Sequence, residues 1–304
     1  MTQIANYFKP TAAQEAVNLF RQQSGKSRYI AGGTTVAAQS DPSIETLIDI
    51  TYCGFDRIIE EDGALRIGAC VTLETLRQSE LIRAYACGML AEVAGWTGSV
   101  QRRNSATIGG SIVTRADIAL PLIALDAELI VVCDTQQIVA TPDFTDPGEV
   151  KIEEESLTQE IRAVSLAEFY AADCGGLHGG ELIEEIRMPA AFRRAAAHAL
   201  CMSRTKQDRP LAAVAAALLF DGEHCQTARM AVSPVARGAR RAPSVEQMLA
   251  GATLTDERIQ QAAEAAAQTA DVVEDFRASA AFRAQMLGVY ARRVLVACAK
   301  RRDE

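Results

Sequence analysis

The chain has 304 residues, of which 49% are hydrophobic, and it carries a formal net charge of -8. This length and composition are typical of a folded globular protein with room for two domains, and they exclude a disordered chain. The negative charge argues against nucleic acid as a partner, because neutralising phosphates requires clustered Lys and Arg. The longest apolar stretch, residues 211–220, is far shorter than the roughly 20 residues of a membrane span. Because the N-terminus also lacks a basic-then-apolar targeting pattern, we predict a cytoplasmic protein without a membrane span.

Cysteine and histidine spacing gives no support for a metal site. The eight cysteines are scattered without a Cys-x-x-Cys pair, and the three histidines follow no metal-binding pattern. Iron–sulfur clusters need several thiolates close together, so we predict that any such cluster belongs to a partner chain. The same scarcity of histidine leaves a Ser/His/Asp triad without support. We therefore predict neither a metal site nor catalytic residues in this chain.

The first fifth of the chain predicts a helix, two strands and a hairpin. The segment 11–14 after Pro10 has a capping-box pattern, which indicates that a helix follows. Residues 28–30 and the apolar run in 43–50 indicate strands. The Asp-Gly pair at 62–63 separates two strand-like runs and predicts a hairpin.

The middle of the chain predicts helices, a buried strand and an acidic excursion. Thr72 is positioned to cap a helix over 73–77, and the alanine-rich segment 81–94 continues as helix. An apolar helix that leads into a buried strand is predicted within 120–132. Residues 135–162 carry seven acidic residues against one Lys and one Arg, which favours either a surface loop or a contact with a partner.

The C-terminal part predicts strands and then helices. Residues 182–189 alternate and end at a proline, as a strand does, and residues 211–220 form an alanine-rich strand candidate. A turn at 221–222 and a strand around 229–232 follow. The last helix has an apolar stripe that we predict to be core: Phe282, Met286, Val289, Tyr290 and Val294.

Two glycine pairs, in segments 31–35 and 106–111, have the composition of loops that hold phosphate. A Gly-Gly pair can adopt positive φ and direct successive N–H groups toward one anion, and nearby threonines and a serine add hydroxyl donors. Both pairs follow segments that we interpret as β-type, 28–30 and 104–106, and neither opens directly on a predicted helix. No third glycine completes the Rossmann pattern and no P-loop lysine is present. Together the pairs predict a dinucleotide cofactor.

The order and spacing of several motifs extend this prediction to nearly the whole chain. The chain resembles the FAD-binding medium subunit of molybdenum hydroxylases, the family that includes carbon monoxide dehydrogenase and xanthine dehydrogenase. The segments that carry the resemblance are 31–35, 65–69, 104–111, Asp117 with 120–127, 182–189, 275–277, 282–283 and 292–293.

The resemblance implies an α+β fold. A vanillyl-alcohol-oxidase-type (PCMH-type) FAD-binding domain would span residues 1–190, with two α+β sub-domains at about 1–55 and 56–190. A C-terminal domain of antiparallel sheet plus helices would span residues 191–304.

The resemblance also implies which residues contact the cofactor. The first glycine segment would wrap the pyrophosphate and its ribose, and the second would form another phosphate clamp. Thr97 and Gly98 would lie near the flavin or the adenine, Asp117 would accept from a ribitol or ribose hydroxyl, and backbone at 182–183 would contact the ring system. The residues implied are Arg28, Tyr29, Ile30, Ala31, Gly32, Gly33, Thr34, Thr35, Val36, Thr97, Gly98, Ala106, Thr107, Ile108, Gly109, Gly110, Ser111, Asp117, Leu182 and Ile183.

The family's division of labour gives the expected function. Electrons would come from [2Fe-2S] clusters on an iron–sulfur small subunit, and molybdopterin would lie on a large subunit. FAD on this chain would pass the electrons to an acceptor such as NAD or a quinone. A self-contained FAD-dependent oxidoreductase and a scaffold subunit that has lost flavin are the alternatives. The chain is shorter than its relatives between Ser111 and Asp117, with Arg115 between them, which predicts a rearranged second clamp.

Overall fold

The protein is described by a computed structural model, which covers residues 4–23, 25–39, 41–137, 140–142, 150–152, 156–171, 177, 179–205, 208–233 and 238–303. The α-helices are α1 (Ala13–Gln22), α2 (Leu73–Gln78), α3 (Glu80–Ala84), α4 (Met89–Ala94), α5 (Val100–Ser105), α6 (Ile108–Val113), α7 (Ala119–Ala124), α8 (Leu166–Ala171), α9 (Pro243–Leu249), α10 (Asp256–Thr269) and α11 (Ala280–Lys300). Short 3₁₀ turns cover Ile50–Tyr52, Ala86–Gly88, Ala190–Phe192 and Arg301–Asp303. The strands are β1 (Asn6–Phe8), β2 (Ser27–Ile30), β3 (Thr46–Asp49), β4 (Ile58–Glu61), β5 (Ala64–Gly68), β6 (Glu128–Gln137), β7 (Ala140–Pro142), β8 (Val150–Ile152), β9 (Ser156–Ser165), β10 (Leu182–Met188), β11 (Ala196–Met202), β12 (Ala212–Asp221), β13 (His224–Ser233), β14 (Arg240–Arg241) and β15 (Ala252–Thr253).

The first sheet is parallel and places the first glycine segment directly after one of its strands. Its strand order is β1-β3-β2, and helix α1 buries Ala16 and Val17 against Ile48 of the central strand. The predicted helix and both strands are confirmed. The Thr11 hydroxyl does not cap α1. Instead, the backbone N–H of Thr11 donates to the Glu15 carboxylate at 2.8 Å.

The second sheet is antiparallel, with strand order β4-β5-β10-β6-β9, and helices α2 to α4 and α6 to α8 contribute to the core that covers it. The predicted hairpin is confirmed as β4 and β5, and Thr72 caps α2 by accepting from the Thr75 N–H at 3.1 Å. The predicted continuous helix over 81–94 is wrong. Ala86, Cys87 and Gly88 all have positive φ, a conformation that ends a right-handed helix and separates α3 from α4.

The segment before the second glycine pair is helical, so its prediction as β-type is wrong. It forms the end of α5, and the glycine pair itself lies in the first turn of α6. The hydroxyls of Ser99 and Thr107 accept backbone N–H bonds from Arg102 and Gly110 and so cap the two helices. Hydroxyl residues that indicate turns in the sequence act here as helix N-caps, because both roles use the same local side-chain bond.

The acidic segment begins and ends in a long pair of strands. Strands β6 and β9 pair from Glu128 opposite Ser165 to Gln137 opposite Ser156, and β7 pairs with β8. Six of the acidic residues lie outside the described residues: Asp143, Asp146, Glu149, Glu153, Glu154 and Glu155. Whether this segment is a surface loop or a partner contact stays a prediction.

The third sheet has the order β11-β12-β13-β14, with β15 beside β13, and it lies between two layers of helices. Successive residues of a strand point to opposite faces. Accordingly, Ala213, Ala215 and Ala217 of β12 join the core shared with the second sheet, whereas Val214 and Ala216 join the core formed with α9 to α11. Burial on both faces explains why this strand is a continuous apolar run. The predicted antiparallel sheet with helices is confirmed.

The predicted apolar stripe of the last helix is only partly core. Val294 is buried, but Phe282 is 37% exposed, and the buried face of α11 instead carries Leu287, Ala291 and Cys298.

Within the ranges that the structure describes, no helix combines the length and apolar character needed to cross a bilayer.

Candidate functional site

A cavity of about 640 Å³ lies where the loop after β2 meets α5, α6 and the start of β10. This volume is in the usual range for a small-molecule or cofactor site. The predicted cofactor residues that line it are Arg28, Tyr29, Ala31, Gly32, Gly33, Thr34, Thr35, Val36, Thr97, Ala106, Thr107, Gly109, Gly110, Ser111, Leu182 and Ile183. Ile30, Gly98, Ile108 and Asp117 do not line it.

The first glycine loop offers a row of free backbone donors. Two of its carbonyls are engaged, since Gly33 O accepts from Ala37 N at 2.9 Å and Thr35 O accepts from Gln39 N at 2.9 Å. Among the described residues, by contrast, no protein acceptor receives a bond from the N–H groups of residues 32–35. Successive unpaired N–H groups in a turn form a concave site for an anion. This cavity wall is therefore suited to a phosphate group.

Each glycine of the first pair is required for a different reason. Gly33 has φ +67°, a left-handed conformation that disfavours residues with a Cβ. Gly32 packs against the backbone of Ser105, and a Cβ on Gly32 would overlap the Ser105 carbonyl oxygen. Of the four glycines in the two pairs, Gly33 alone has positive φ. The close contact at Gly32 fixes the first loop against α5.

The second glycine pair works differently from the first, because its backbone donors are used within the protein. Ile108 N donates to Val71 O and Gly109 N donates to Ala69 O, each at 2.9 Å, while Gly110 N donates to the Thr107 hydroxyl at 3.3 Å. This segment therefore lines the cavity, but the amides of residues 108–110 are not free to bind a ligand. Ser111 lines the cavity, and its hydroxyl has no protein partner among the described residues.

Charged side chains also line the cavity. Arg28 forms a 3.6 Å ion pair with Asp41, whose pKa is lowered mainly by hydrogen bonds from Ser43, with Arg28 contributing. Glu181 is paired with Arg162 at 2.8 Å. Arg102, which sequence reasoning did not select, lines the cavity as well, and no carboxylate of the described residues forms an ion pair with it.

The loop that contains Thr97 and Gly98 is held by a buried ion pair. Arg103 Nε donates to Glu74 Oε2 at 2.7 Å, and Arg103 Nη1 donates to Gly98 O at 2.9 Å. Hydrogen bonds from Arg77 and Arg103 lower the pKa of Glu74 to about 2. Glu74 and Arg103 are 29 residues apart, so no local spacing in the sequence could have paired them.

Asp117 lies beyond the cavity, toward the third sheet. Ser233 Oγ donates to its carboxylate at 3.4 Å; burial raises the pKa of Asp117, while Arg209 and Arg277 oppose that rise. The short connection before it turns at Arg115, which has φ 54° and lies 5.2 Å from the Tyr170 ring. Cation–π contact of this kind stabilises the turn.

The described cysteines are free thiols. Burial raises the pKa of Cys53 to about 11 and that of Cys70 to about 12, so both thiols stay protonated and unreactive at neutral pH. No group of three or more His, Cys, Asp or Glu side chains suited to a metal ion occurs in the part of the chain that the structure describes.

Comparisons with known proteins agree with this arrangement. The family model described as "FAD binding domain in molybdopterin dehydrogenase" matches residues 2–162, and the model described as "CO dehydrogenase flavoprotein C-terminal domain" matches residues 197–298. The chain is 28% identical over 300 residues to the 6-hydroxypseudooxynicotine dehydrogenase complex subunit alpha of Paenarthrobacter nicotinovorans, covering 95% of this chain and 93% of that one. It is 26% identical over 296 residues to the carbon monoxide dehydrogenase medium chain of Hydrogenophaga pseudoflava, with 95% of each chain covered.

A solved structure extends the likeness to the whole fold. Carbon monoxide dehydrogenase from Hydrogenophaga pseudoflava, in a form that lacks the Mo-pyranopterin moiety, superposes with a TM-score of 0.84 at 26% identity, and 99% of each chain is covered. The predicted fold, an FAD-binding domain followed by a C-terminal domain of sheet and helices, is confirmed. Since the first family model spans more than half of the chain, this protein belongs to the family of FAD-binding domains of molybdopterin dehydrogenases.

Proposed function

We propose that this chain is the FAD-carrying electron-transfer subunit of a heterooligomeric molybdenum hydroxylase. The observation that carries the proposal is the row of free N–H groups in residues 32–35, which faces a cavity of cofactor size. Family membership identifies the cofactor as FAD. A dinucleotide needs donors for its pyrophosphate and an apolar surface for its ring, and this cavity supplies both.

The residues of the cavity fit FAD. The first glycine loop would hold the pyrophosphate through its amides and the Thr34 and Thr35 hydroxyls, with the Ser111 hydroxyl as a further donor. Backbone at Leu182 and Ile183, which are 3% exposed, would contact the ring system. When bound, FAD supplies oxidation–reduction chemistry that the protein's own side chains cannot. The chain's part is to bind, orient and shield the cofactor.

Other predicted cofactor residues would act indirectly. Ile108, the first residue of α6, is fully buried and would support this helix rather than face the cavity. Ile30 would support the first loop in the same way, since its Cδ1 lies 3.5 Å from the position of a Cβ on Gly33. We retain Asp117 as a proposed contact for a hydroxyl of the bound cofactor, because Ala116 beside it lines the cavity.

The proposal extends to domains, partners and acceptor. We assign residues 1–190 to FAD binding, in sub-domains of about 1–55 and 56–190, and residues 191–304 to the C-terminal domain. An iron–sulfur small subunit and a molybdopterin large subunit would be the partners, and NAD or a quinone would be the acceptor. Free thiols among the described cysteines agree with a cytoplasmic location, because reducing compartments keep thiols unpaired.

Purification of the full chain with the subunits that accompany it tests this function. We expect one FAD per chain, released on denaturation and identified by chromatography, together with iron- and molybdenum-containing partner chains. A properly folded chain that takes up no flavin would support the scaffold alternative. Substrate oxidation by the chain alone would support a self-contained oxidoreductase and contradict the proposal.

A further inference from the structure

Arg102 differs from the other charged residues of the cavity in having no ionic partner among the described residues. Arg28 is paired with Asp41, and Glu181 is paired with Arg162. Arg102 lines the same cavity without such a pair. An anion bound in the cavity would therefore meet one arginine whose charge is not already neutralised by a protein carboxylate.

The backbone around Arg102 brings this side chain to the first glycine loop. Ala106 N donates to Arg102 O at 2.8 Å, so the two residues lie one helical turn apart, and both line the cavity. Ser105, the neighbour of Ala106, contacts Gly32 through its carbonyl oxygen. A helical turn rises about 5.4 Å. Arg102 is thus within a side chain's reach of the free N–H groups at residues 32–35.

The aliphatic part of the Arg102 side chain packs against Gly98. Gly98 has φ +47°, and a Cβ there would lie 3.0 Å from Arg102 Cδ and 3.6 Å from Arg102 Cβ. The absence of a side chain at Gly98 therefore leaves room for the Arg102 stem. Because Arg103 Nη1 holds the Gly98 carbonyl at 2.9 Å, this surface is fixed to the buried ion pair with Glu74. Gly98 thus acts through Arg102, although it does not line the cavity itself.

We propose that Arg102 is a cofactor-recognition residue, whose guanidinium pairs with the pyrophosphate held by the first glycine loop. The proposal rests on the proposed FAD-binding function and adds to it the side chain that supplies positive charge. Backbone amides carry only partial charge, whereas a guanidinium offers a full charge and paired donors for phosphate oxygens. In a chain of net charge -8, such a local cation matters for holding a dianionic group.

The test compares flavins that differ in phosphate. The full chain, with any subunits that co-purify, is stripped of flavin and titrated with FAD and with riboflavin, and binding is followed by flavin fluorescence. For Arg102→Gln we expect FAD affinity to fall roughly 10- to 100-fold, as for loss of a charged hydrogen bond, while riboflavin affinity stays unchanged. Arg102→Lys keeps the charge but loses the paired donors, so its FAD affinity should lie between those of the wild type and Arg102→Gln. Raising the salt concentration should weaken FAD binding less in Arg102→Gln than in the wild type.

A matched variant distinguishes a direct contact between Arg102 and the cofactor from the effect of the protein's overall charge. Arg57→Gln removes the same charge from an exposed position outside the cavity, and it should leave FAD affinity within about twofold of wild type. Equal losses for FAD and riboflavin in Arg102→Gln, or equal losses in the two variants, would overturn the role of Arg102. A wild-type chain that binds no FAD would overturn the proposed function itself, and the role of Arg102 with it. Wild-type FAD affinity in Arg102→Gln would overturn only the role of Arg102.

Discussion

The carbonyl oxygen of Ser105 lies against the Cα of Gly32, in the space that a side chain at Gly32 would occupy. This contact joins the loop after β2 to the end of α5, although Gly32 and Ser105 are 73 positions apart in the chain. Both glycine segments line the same cavity. The close approach therefore fixes the first glycine loop against the end of α5.

Gly32→Ala should therefore damage both the fold and the site. The added methyl group must displace backbone rather than a flexible side chain, and overpacking of this kind costs about 1–3 kcal/mol in the free energy of unfolding. Urea denaturation should show the loss, and FAD titration should show weaker binding. Gly179→Ala is the matched control, because a Cβ at Gly179 meets no atom within 4 Å and its φ is not positive. Equal stability of the two variants would contradict the contact.

Gly110→Val should remove FAD binding with little effect on folding. Gly110 is exposed, it lines the cavity, and the nearest atom to a Cβ there is the Thr107 hydroxyl at 3.0 Å. A valine would project into the space assigned to the cofactor, so we expect at least a tenfold loss of FAD affinity and a thermal midpoint within a few degrees of wild type. Gly33→Val should by contrast also lower the stability of the fold, because Gly33 has positive φ and a side chain there adds backbone strain of about 1–2 kcal/mol. Unchanged flavin content in Gly110→Val would exclude this wall of the cavity from the FAD site.

Glu74 should make stability depend on pH in the acid range. Its pKa is lowered from about 4.5 to about 2, so the carboxylate stabilises the fold at pH values above 4.5. This stabilisation is lost as the pH falls from 4.5 toward 2. The urea midpoint of wild type should therefore fall more steeply than that of Glu74→Gln over this interval, and the two curves should run parallel from pH 5 to 7. Glu80→Gln, at the exposed first residue of α3, should follow the wild type. Parallel curves for wild type and Glu74→Gln below pH 4.5 would contradict the role of this ion pair.

Asp126 should couple the third sheet to the rest of the molecule. Its carboxylate accepts from Arg229 Nε at 2.6 Å and from Arg241 Nη1 at 3.1 Å. Asp126 also has φ 50°, a conformation that asparagine tolerates well. Asp126→Asn thus keeps the backbone and removes the charge, and we expect it to lower the free energy of unfolding by about 1–3 kcal/mol. Asp221→Asn, at the exposed last residue of β12, should leave the free energy of unfolding unchanged. Equal effects of the two substitutions would contradict a specific role for Asp126.

Local sequence patterns determined several secondary-structure elements of this protein. The Asp-Gly pair specified the β4–β5 hairpin, Thr72 specified the start of α2, and the apolar run at 211–220 specified β12, because each depends on residues close together in sequence. The glycine pairs, with the motifs around them, also predicted the segments that line the cavity. These features follow from backbone preference and hydrophobic periodicity, which are readable without the fold.

Tertiary structure alone decided how the two glycine segments differ. Both have similar composition, but the carbonyls of Ala69 and Val71, in the segment after β5, accept from the amides of Gly109 and Ile108, whereas the amides of residues 32–35 have no protein acceptor among the described residues. The unpaired charge of Arg102 and the buried bond from Arg103 to Glu74 likewise depend on neighbours distant in the chain. Sequence determined which segments hold donors and where the turns fall. Contacts between segments distant in the chain determined which donors remain for a cofactor, because a hydrogen bond made within the protein is no longer available to a ligand.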